Sequence, residues 1–245
     1  IPGVMLASAV RDYLVNFGVS PGYRTVVVTN NDDAYRTAIA LVQAGLKVPV
    51  ILDARAKGGG ALMNEAKALG IRVETGAAAV KVKGAKRVHS VCVGVQAGEG
   101  AVLEEVFCDA VAMSGGWSPV VHLWSHCGGK LTWDADQAAF RPDHDRAPTS
   151  HDGKPFVITS GAANGAFHLS NVLQNAASAG KTAAARVGAE KGDVAASSGD
   201  APVEAPLVPV WMMPQGAKKQ LRMKAWLDYQ NDVKVSDVQL AAQEG

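Results

Sequence analysis

Apolar and polar positions along this chain keep time with periods that change from segment to segment. Met5, Leu6, Ala9, Val10, Tyr13 and Leu14 recur at three- and four-residue intervals, which predicts an amphipathic helix over residues 4–17, ended by Gly18. Residues 24–29 form an unbroken β-branched run, the composition of a strand buried on both faces. Asn30-Asn31-Asp32-Asp33 then offers caps for a helix over residues 34–44, stopped by Gly45. A second strand is predicted at 47–53, a helix at 61–69 and a third strand at 71–75. This order, with short connections, is the βαβ pattern of a doubly wound α/β domain. The period then shortens: 80–83, 87–96, 101–108 and 110–114 read as short strands separated by glycines. They suggest an antiparallel three-stranded insert that crosses over the parallel sheet and returns to its last strand.

Beyond Gly115-Gly116-Trp117-Ser118-Pro119 the pattern predicts a short helix at 120–127 and a small hairpin from 130–133 and 138–141. A strand at 156–159 runs into Ser160-Gly161-Ala162-Ala163-Asn164-Gly165, followed by a long helix over 166–190. Residues 189–208, rich in Ala, Gly, Ser, Asp and Pro, read as a flexible linker. The tail from residue 209 holds Trp211, Trp226 and an amphipathic stretch over 218–230. The first residues, Ile1-Pro2-Gly3, and the last, which run off a helical pattern, suggest a piece of a longer polypeptide.

Composition narrows the function classes. Of 245 residues, 48% are hydrophobic and 19% charged, so the chain is globular rather than disordered. Lys and Arg number 24 against 23 Asp and Glu, a balance of 24 − 23 = +1 that argues against electrostatic binding to nucleic acid or an anionic membrane. No apolar run reaches the roughly 18–20 residues of a membrane span. Cys92, Cys108 and Cys127 are irregularly spaced and odd in number. They form neither a disulfide framework nor a zinc ribbon, and they fit a reducing, cytoplasmic setting.

Candidate chemistry is sparse. A dinucleotide-binding turn places G-x-G-x-x-G after the first strand, so that backbone and helix N-terminus approach a pyrophosphate. Here Thr29-Asn30-Asn31-Asp32-Asp33-Ala34 holds no glycine, and two carboxylates stand where phosphates would lie. Asp53, at the end of the second strand, is placed for a ribose hydroxyl, yet without the phosphate loop the site reads as lost. The second glycine-rich turn, residues 160–165, carries small uncharged side chains; it is either an anion-facing turn or an ordinary close-packed one. His122 and His126 share a helical face beside Cys127, but no Glu follows the first His, so a half-buried histidine pair is favoured over a metal site. Asp143-His144-Asp145 and His151-Asp152 read as solvated loop, and Lys218-Lys219 with Arg222-Met223-Lys224 as a solvated helix face. No nucleophile–base pair and no redox C-x-x-C appear.

Several runs resemble one family. Pro2-Gly3-Val4-Met5-Leu6-Ala7-Ser8-Ala9-Val10-Arg11 is similar to the end of the first nucleotide-binding half in the α subunits of heterotetrameric sarcosine oxidases. Val27-Val28-Thr29-Asn30-Asn31-Asp32-Asp33-Ala34-Tyr35-Arg36 resembles their degenerate second turn. Ser114-Gly115-Gly116-Trp117-Ser118-Pro119-Val120-Val121-His122-Leu123 and Gly128-Gly129-Lys130-Leu131-Thr132-Trp133-Asp134 are the most specific matches, with Trp226-Leu227-Asp228-Tyr229-Gln230-Asn231-Asp232-Val233 a further one.

The resemblance implies a Rossmann-like fold of two dinucleotide domains, as in pyridine nucleotide–disulfide reductases, truncated at its N-terminus. Residues 1–20 would end the first nucleotide-binding half. Residues 21–115 would form the second Rossmann-like domain, and 116–188 would return to the first. The linker of 189–208 and the start of a following region, 209–245, would complete the chain. It also implies a tightly bound NAD, shared with residues upstream, approached by Gly161, Ala162 and Gly165, with Phe167 and His168 near it and Asn164 carried over by position. FAD and FMN would lie in the complex but be held mainly elsewhere. The whole assembly would take sarcosine and tetrahydrofolate, other subunits would be partners, and no catalytic residue or metal ligand would lie in this segment. Two other readings remain: the α-type subunit of an opine or cyanide-forming amine dehydrogenase, and a non-catalytic interaction module docking through its Trp-bearing tail.

Overall fold

The computed structural model describes residues 1–189, 204–211, 219–222, 225–228 and 230–244. The chain divides into two compact units, residues 1–116 with 204–245, and residues 117–203.

The first unit is built on a five-stranded sheet. Its elements are β1 (Val4–Leu6), α1 (Ala7–Phe17), β2 (Thr25–Thr29), α2 (Asp33–Gln43), β3 (Ile51–Asp53), α3 (Ala61–Ala68) and β4 (Val73–Thr75). An antiparallel excursion follows, β5 (Ala77–Gly84), β6 (Val88–Val95) and β7 (Glu104–Phe107), before β8 (Ala110–Ser114). The sheet order is β1-β8-β2-β3-β4, and every pairing is parallel. β8 therefore returns to lie between the first two strands, while β5-β6-β7 form a separate antiparallel sheet, as the glycine-spaced pattern predicts.

The unbroken apolar runs have a simple physical cause: both faces of the parallel sheet are covered. Successive side chains point to opposite faces. Val27, Ile51 and Ala112 pack with Val10, Tyr35, Leu41 and Leu62 of the helices. Their neighbours Val26, Leu52 and Val111 pack with Val88, Val91, Val93 and Val106 of the insert. The unit is thus three layers, helices, parallel sheet and antiparallel sheet.

Several boundaries differ from the sequence reading. The predicted helix over 4–17 is strand up to Leu6 and helix only from Ala7. Three residues of strand are too short to break a helical period, and pairing of Val4, Met5 and Leu6 with Val111, Ala112 and Met113 decides the matter. The second strand, predicted at 47–53, pairs regularly only from Ile51, with an isolated bridge between Arg24 and Lys47. Among the described residues β1 is a sheet edge, and Leu6, Val15 and Phe17 nearby are exposed.

The second unit holds α4 (His122–His126), the hairpin β9 (Leu131–Asp134) and β10 (Ala139–Pro142), and α5 (Leu169–Arg186). Residues 156–159, expected as a strand, form none; the nearest pairing is a single bridge between Thr149 and Pro155. Of the linker expected over 189–208, residues 190–203 lie outside the described residues, and 204–208 are hydrogen-bonded to the first unit. The stretch 218–230, expected as one amphipathic segment, includes α6 (Lys219–Arg222) and β11 (Trp226–Asp228), the latter paired with β12 (Val233–Lys234) ahead of α7 (Val235–Glu244). Lys218, Met223 and Lys224 of the basic strip lie outside the described residues. No described helix is long and apolar enough to cross a membrane.

Candidate functional site

Two turns follow a strand or strand-like run and open a helix, the place of a nucleotide turn, one in each unit. The first follows β2. Thr29 Oγ1 accepts the Asn31 N–H at 3.1 Å and donates to the Asn31 carbonyl at 2.9 Å. Asn31 Oδ1 accepts the Asp33 N–H at 3.2 Å, whereas Asp32, at the N-cap of α2, makes no capping hydrogen bond through its side chain. The Asn31 amide also donates to Ser114 Oγ at 2.9 Å, tying the turn to the end of β8.

The two carboxylates of this turn do not face an empty phosphate site. Asp33 pairs with Arg11 at 2.9 Å and with Arg36 at 3.4 Å. Asp32 is buried and accepts from Arg55 Nη2 at 2.7 Å. The same nitrogen donates to Asp53 Oδ2 at 2.7 Å, while Arg55 Nε reaches Asp53 Oδ1 at 3.0 Å. Tyr35 donates its hydroxyl to Asp53 Oδ2 at 2.7 Å. Asp53, expected beside a ribose, is instead fully buried and spent on Arg55 and Tyr35. Burial, then the hydrogen bond to Asp53, pushes the Tyr35 phenol well above its ordinary range. Burial alone would weaken the charge on Arg55, but its hydrogen bonds to Asp53 and Asp32 outweigh it and raise the guanidinium above its usual value. Packing is tight: a Cβ at Gly59 would lie 2.2 Å from Asp32 Oδ1 and 2.9 Å from Arg55 Nη2. Arg55 and Tyr35 escaped the sequence reading; the spacing Asp53-Ala54-Arg55, a carboxylate and a guanidinium two residues apart at a strand end, was the available signal.

The second turn lies in the other unit. Gly161–Asn164 form one 3₁₀ turn, closed by Gly165. Gly161 and Gly165 have φ of +59° and +80°, a conformation that favours glycine. Asn175 of α5 reaches back, and its Oδ1 accepts the Gly161 N–H at 2.9 Å and the Asn164 amide at 3.3 Å. Asn164 Oδ1 accepts from Thr159 Oγ1 at 3.0 Å and lies 2.6 Å from His144 Nε2. Gln137 Nε2 donates to the Gly165 carbonyl at 2.8 Å. The turn is therefore sewn to its own helix, and the Asn164 side chain is engaged inside the loop.

The helix begins at Leu169 rather than at residue 166, because Ala166 N–H bonds back to the Gly161 carbonyl and the chain straightens at His168. His168 occupies the N-cap and makes no capping hydrogen bond through its side chain. Phe167 packs on Trp117 with ring centres 6.4 Å apart. Ala162 and His168 are exposed, Gly161, Asn164, Gly165 and Phe167 half-buried. Beside the turn a groove of about 410 Å³ is lined by Asn164, Gly165, Asn171, Gln174, Asn175 and Ser178 among others. Its lining offers amides, a hydroxyl and no charged group, so it can hold a polar or anionic ligand but supplies no acid–base pair.

The remaining candidates disperse. His122 and His126 are exposed on a five-residue helix rather than half-buried, and no group of three metal-ligating side chains occurs among the described residues. Asp143 caps a short 3₁₀ turn (His144–Arg146), and the Arg146 guanidinium, first among several hydrogen bonds, holds its carboxyl below the usual range. All three cysteines are free. Cys127 is exposed, whereas burial, then the Asp109 charge, pushes the Cys108 thiol up to about 11. A thiol raised in this way is protonated when folded, so its contribution to stability is lost only as pH rises from the ordinary thiol value towards 11. Site-resolved alkylation at pH 8 is expected to label Cys127 at least about tenfold faster than Cys108 or Cys92. Equal rates would contradict the buried placement.

No family model matches the sequence. Two relatives align with the whole of this chain. Both are sarcosine oxidase subunit alpha, one from Rhizobium meliloti (strain 1021), 33% identical over 246 residues, and one from Corynebacterium sp. (strain P-1), 37% identical over 251. The chain spans 23% and 25% of their lengths. Among solved structures, L-proline dehydrogenase from P. horikoshii matches over 100% of this chain and 42% of its own, with a TM-score of 0.60 and 15% identity. The likeness is one of fold, mixed α/β with a parallel sheet, of the pyridine nucleotide–disulfide oxidoreductase-like type. Over its full length, then, the chain is similar to one segment, about a quarter, of the sarcosine oxidase α subunits.

Proposed function

We propose that this chain is the part of an α-type oxidoreductase subunit that forms one wall of an NAD site and otherwise serves as architecture. The observation that carries the reading is the contrast between the two turns. The turn after β2 has every carboxylate paired and buried or half-buried, while the turn at Gly161–Gly165 opens onto an uncharged polar groove beside a helix N-terminus. Helix N-termini favour anions, and a pyrophosphate is one. Gly161, Ala162 and Gly165 would let backbone approach the ligand, Phe167 would offer an apolar surface and His168 a polar edge. Asn164 would act by fixing the turn. Bound NAD is by its chemistry a hydride carrier; these residues would bind and orient it.

In the whole protein, the relatives' names point to a multi-subunit oxidase of sarcosine; one-carbon transfer to tetrahydrofolate, in a heterotetramer whose FAD and FMN are held mainly outside this segment, belongs to the same proposal. The three free cysteines accord with a cytoplasmic setting. No side chain of this segment takes a catalytic role in this reading.

The test is nucleotide release. The full-length chain, purified with its natural partner subunits, is denatured and the liberated nucleotides are identified and counted by mass spectrometry. One NAD per α chain is expected. Absence of NAD, above all with an iron–sulfur signal in its place, would overturn the reading.

A further inference from the structure

The crevice at the carboxyl end of a parallel sheet is where open α/β domains take their ligands. In the first unit that place holds residues 204–208 of this same chain. The Ala205 N–H donates to Asp32 Oδ2 at 2.7 Å. Arg55 Nη1 donates to the Pro206 carbonyl at 3.3 Å. Val208 exchanges two hydrogen bonds with Asn30, its N–H to the Asn30 carbonyl at 3.2 Å and its carbonyl from the Asn30 amide at 2.9 Å. The Glu204 carboxylate pairs with Arg36 in the first turn of α2. Leu207 lies over Gly116, where a Cβ would stand 3.6 Å from its Cδ2.

These contacts fall on the turn after β2, the start of α2, the residue two beyond β3 and the exit of β8. They are the positions from which a domain of this type grips a nucleotide. We propose that this half has become a peptide receptacle, with residues 204–208 as its resident ligand in place of a nucleotide.

Three features argue that the exchange is permanent. First, the cluster beneath the peptide has two buried carboxylates for one guanidinium, a net negative charge that repels phosphate. Second, recognition runs through main-chain groups, an N–H to a carboxylate, a carbonyl to a guanidinium and a two-way exchange with Asn30, which is how extended peptides are held at sheet edges. Third, Pro206 and Pro209 restrict the backbone before binding, which lowers the entropy lost on docking.

Hydrogen exchange on the full-length chain in its complex tests this. In the parent, the Val208 amide is expected to exchange at least about a hundredfold slower than an unstructured peptide amide. Ala205→Pro removes the N–H that Asp32 accepts without touching the sheet. It is expected to speed exchange at Val208 about tenfold or more while β2 and β3 keep their protection. Glu204→Gln, which removes only the ion pair to Arg36, is expected to act in the same direction more weakly. Added NADH is expected to leave the Val208 amide unchanged. An unprotected Val208 in the parent, or equal protection in both variants, would overturn the proposal. So would release of residues 204–211 by NADH, which would make the peptide a displaceable gate. The nucleotide count of the purified complex does not bear on these outcomes, so this inference and the NAD reading fail separately.

Discussion

Arg55→Met is expected to cost the parallel-sheet unit about 3–5 kcal/mol, the range for removing one partner of a buried ion pair. Arg55, Asp32 and Asp53 are 3%, 1% and 0% exposed, so solvent cannot replace the lost guanidinium. Two carboxylates would face each other at the ends of β2 and β3, and Tyr35, which now donates to Asp53, could satisfy only one. A loss of that size is a large part of the 5–15 kcal/mol that holds an ordinary domain together. Hydrogen exchange of the β2 and β3 amides in the full-length chain reads the effect. Adding Asp32→Asn and Asp53→Asn to Arg55→Met is expected to recover most of the protection, because the penalty lies in the unpaired charge. Unchanged exchange in Arg55→Met would mean that the cluster contributes nothing to the fold.

Trp124→Ala is expected to destabilise the second unit by about 3–5 kcal/mol. Trp124 and Ala139 are the buried hydrophobic side chains described in that unit, accompanied by Pro142 and Pro148. The indole also donates Nε1–H to the Lys130 carbonyl at 2.7 Å, and His144 meets the ring edge-on with centres 5.7 Å apart. Gly129 is packed so closely that a Cβ there would lie 2.5 Å from Nε1. With so few apolar anchors, the unit has little to compensate for a cavity at this position. Loss of amide protection in β9 and β10, with β2 and β3 unaffected, is the expected pattern. Full protection of the hairpin in the variant would show that Trp124 is dispensable.

The parallel sheet was legible in the sequence because both of its faces are buried. Val26-Val27-Val28 and Ile51-Leu52 can be apolar throughout only in a strand covered on two sides. The insert was legible because glycines punctuate it. β1 was not, since three residues carry too little period and its partner Val111 lies far along the chain. The absence of glycine at Thr29–Asp33 was plain in the sequence, but the pairing of Asp32 with Arg55 and of Asp33 with Arg11 and Arg36 was not. What occupies this end of the sheet was invisible, because Glu204 to Val208 sit in a stretch of low-complexity composition and bind chiefly through their backbone, which has no residue code. The Gly161–Gly165 turn was found by its glycines. The part of Asn175 in closing it was not, as a lone amide in a helix carries no sign of where it reaches.

The place of β8 in the sheet has a consequence for how the chain acquires its structure. Within this chain β1 and β2 precede the other strands of the sheet, yet they are not paired with each other; β8, whose last residue is Ser114, lies between them and pairs with both. The centre of the sheet therefore cannot close during synthesis until that residue has emerged. Until then β2 can hold only β3 on one side, and its other edge stays open. Such long-range closure predicts slow folding and a vulnerable half-sheet intermediate, the kind of species that aggregates or recruits a chaperone.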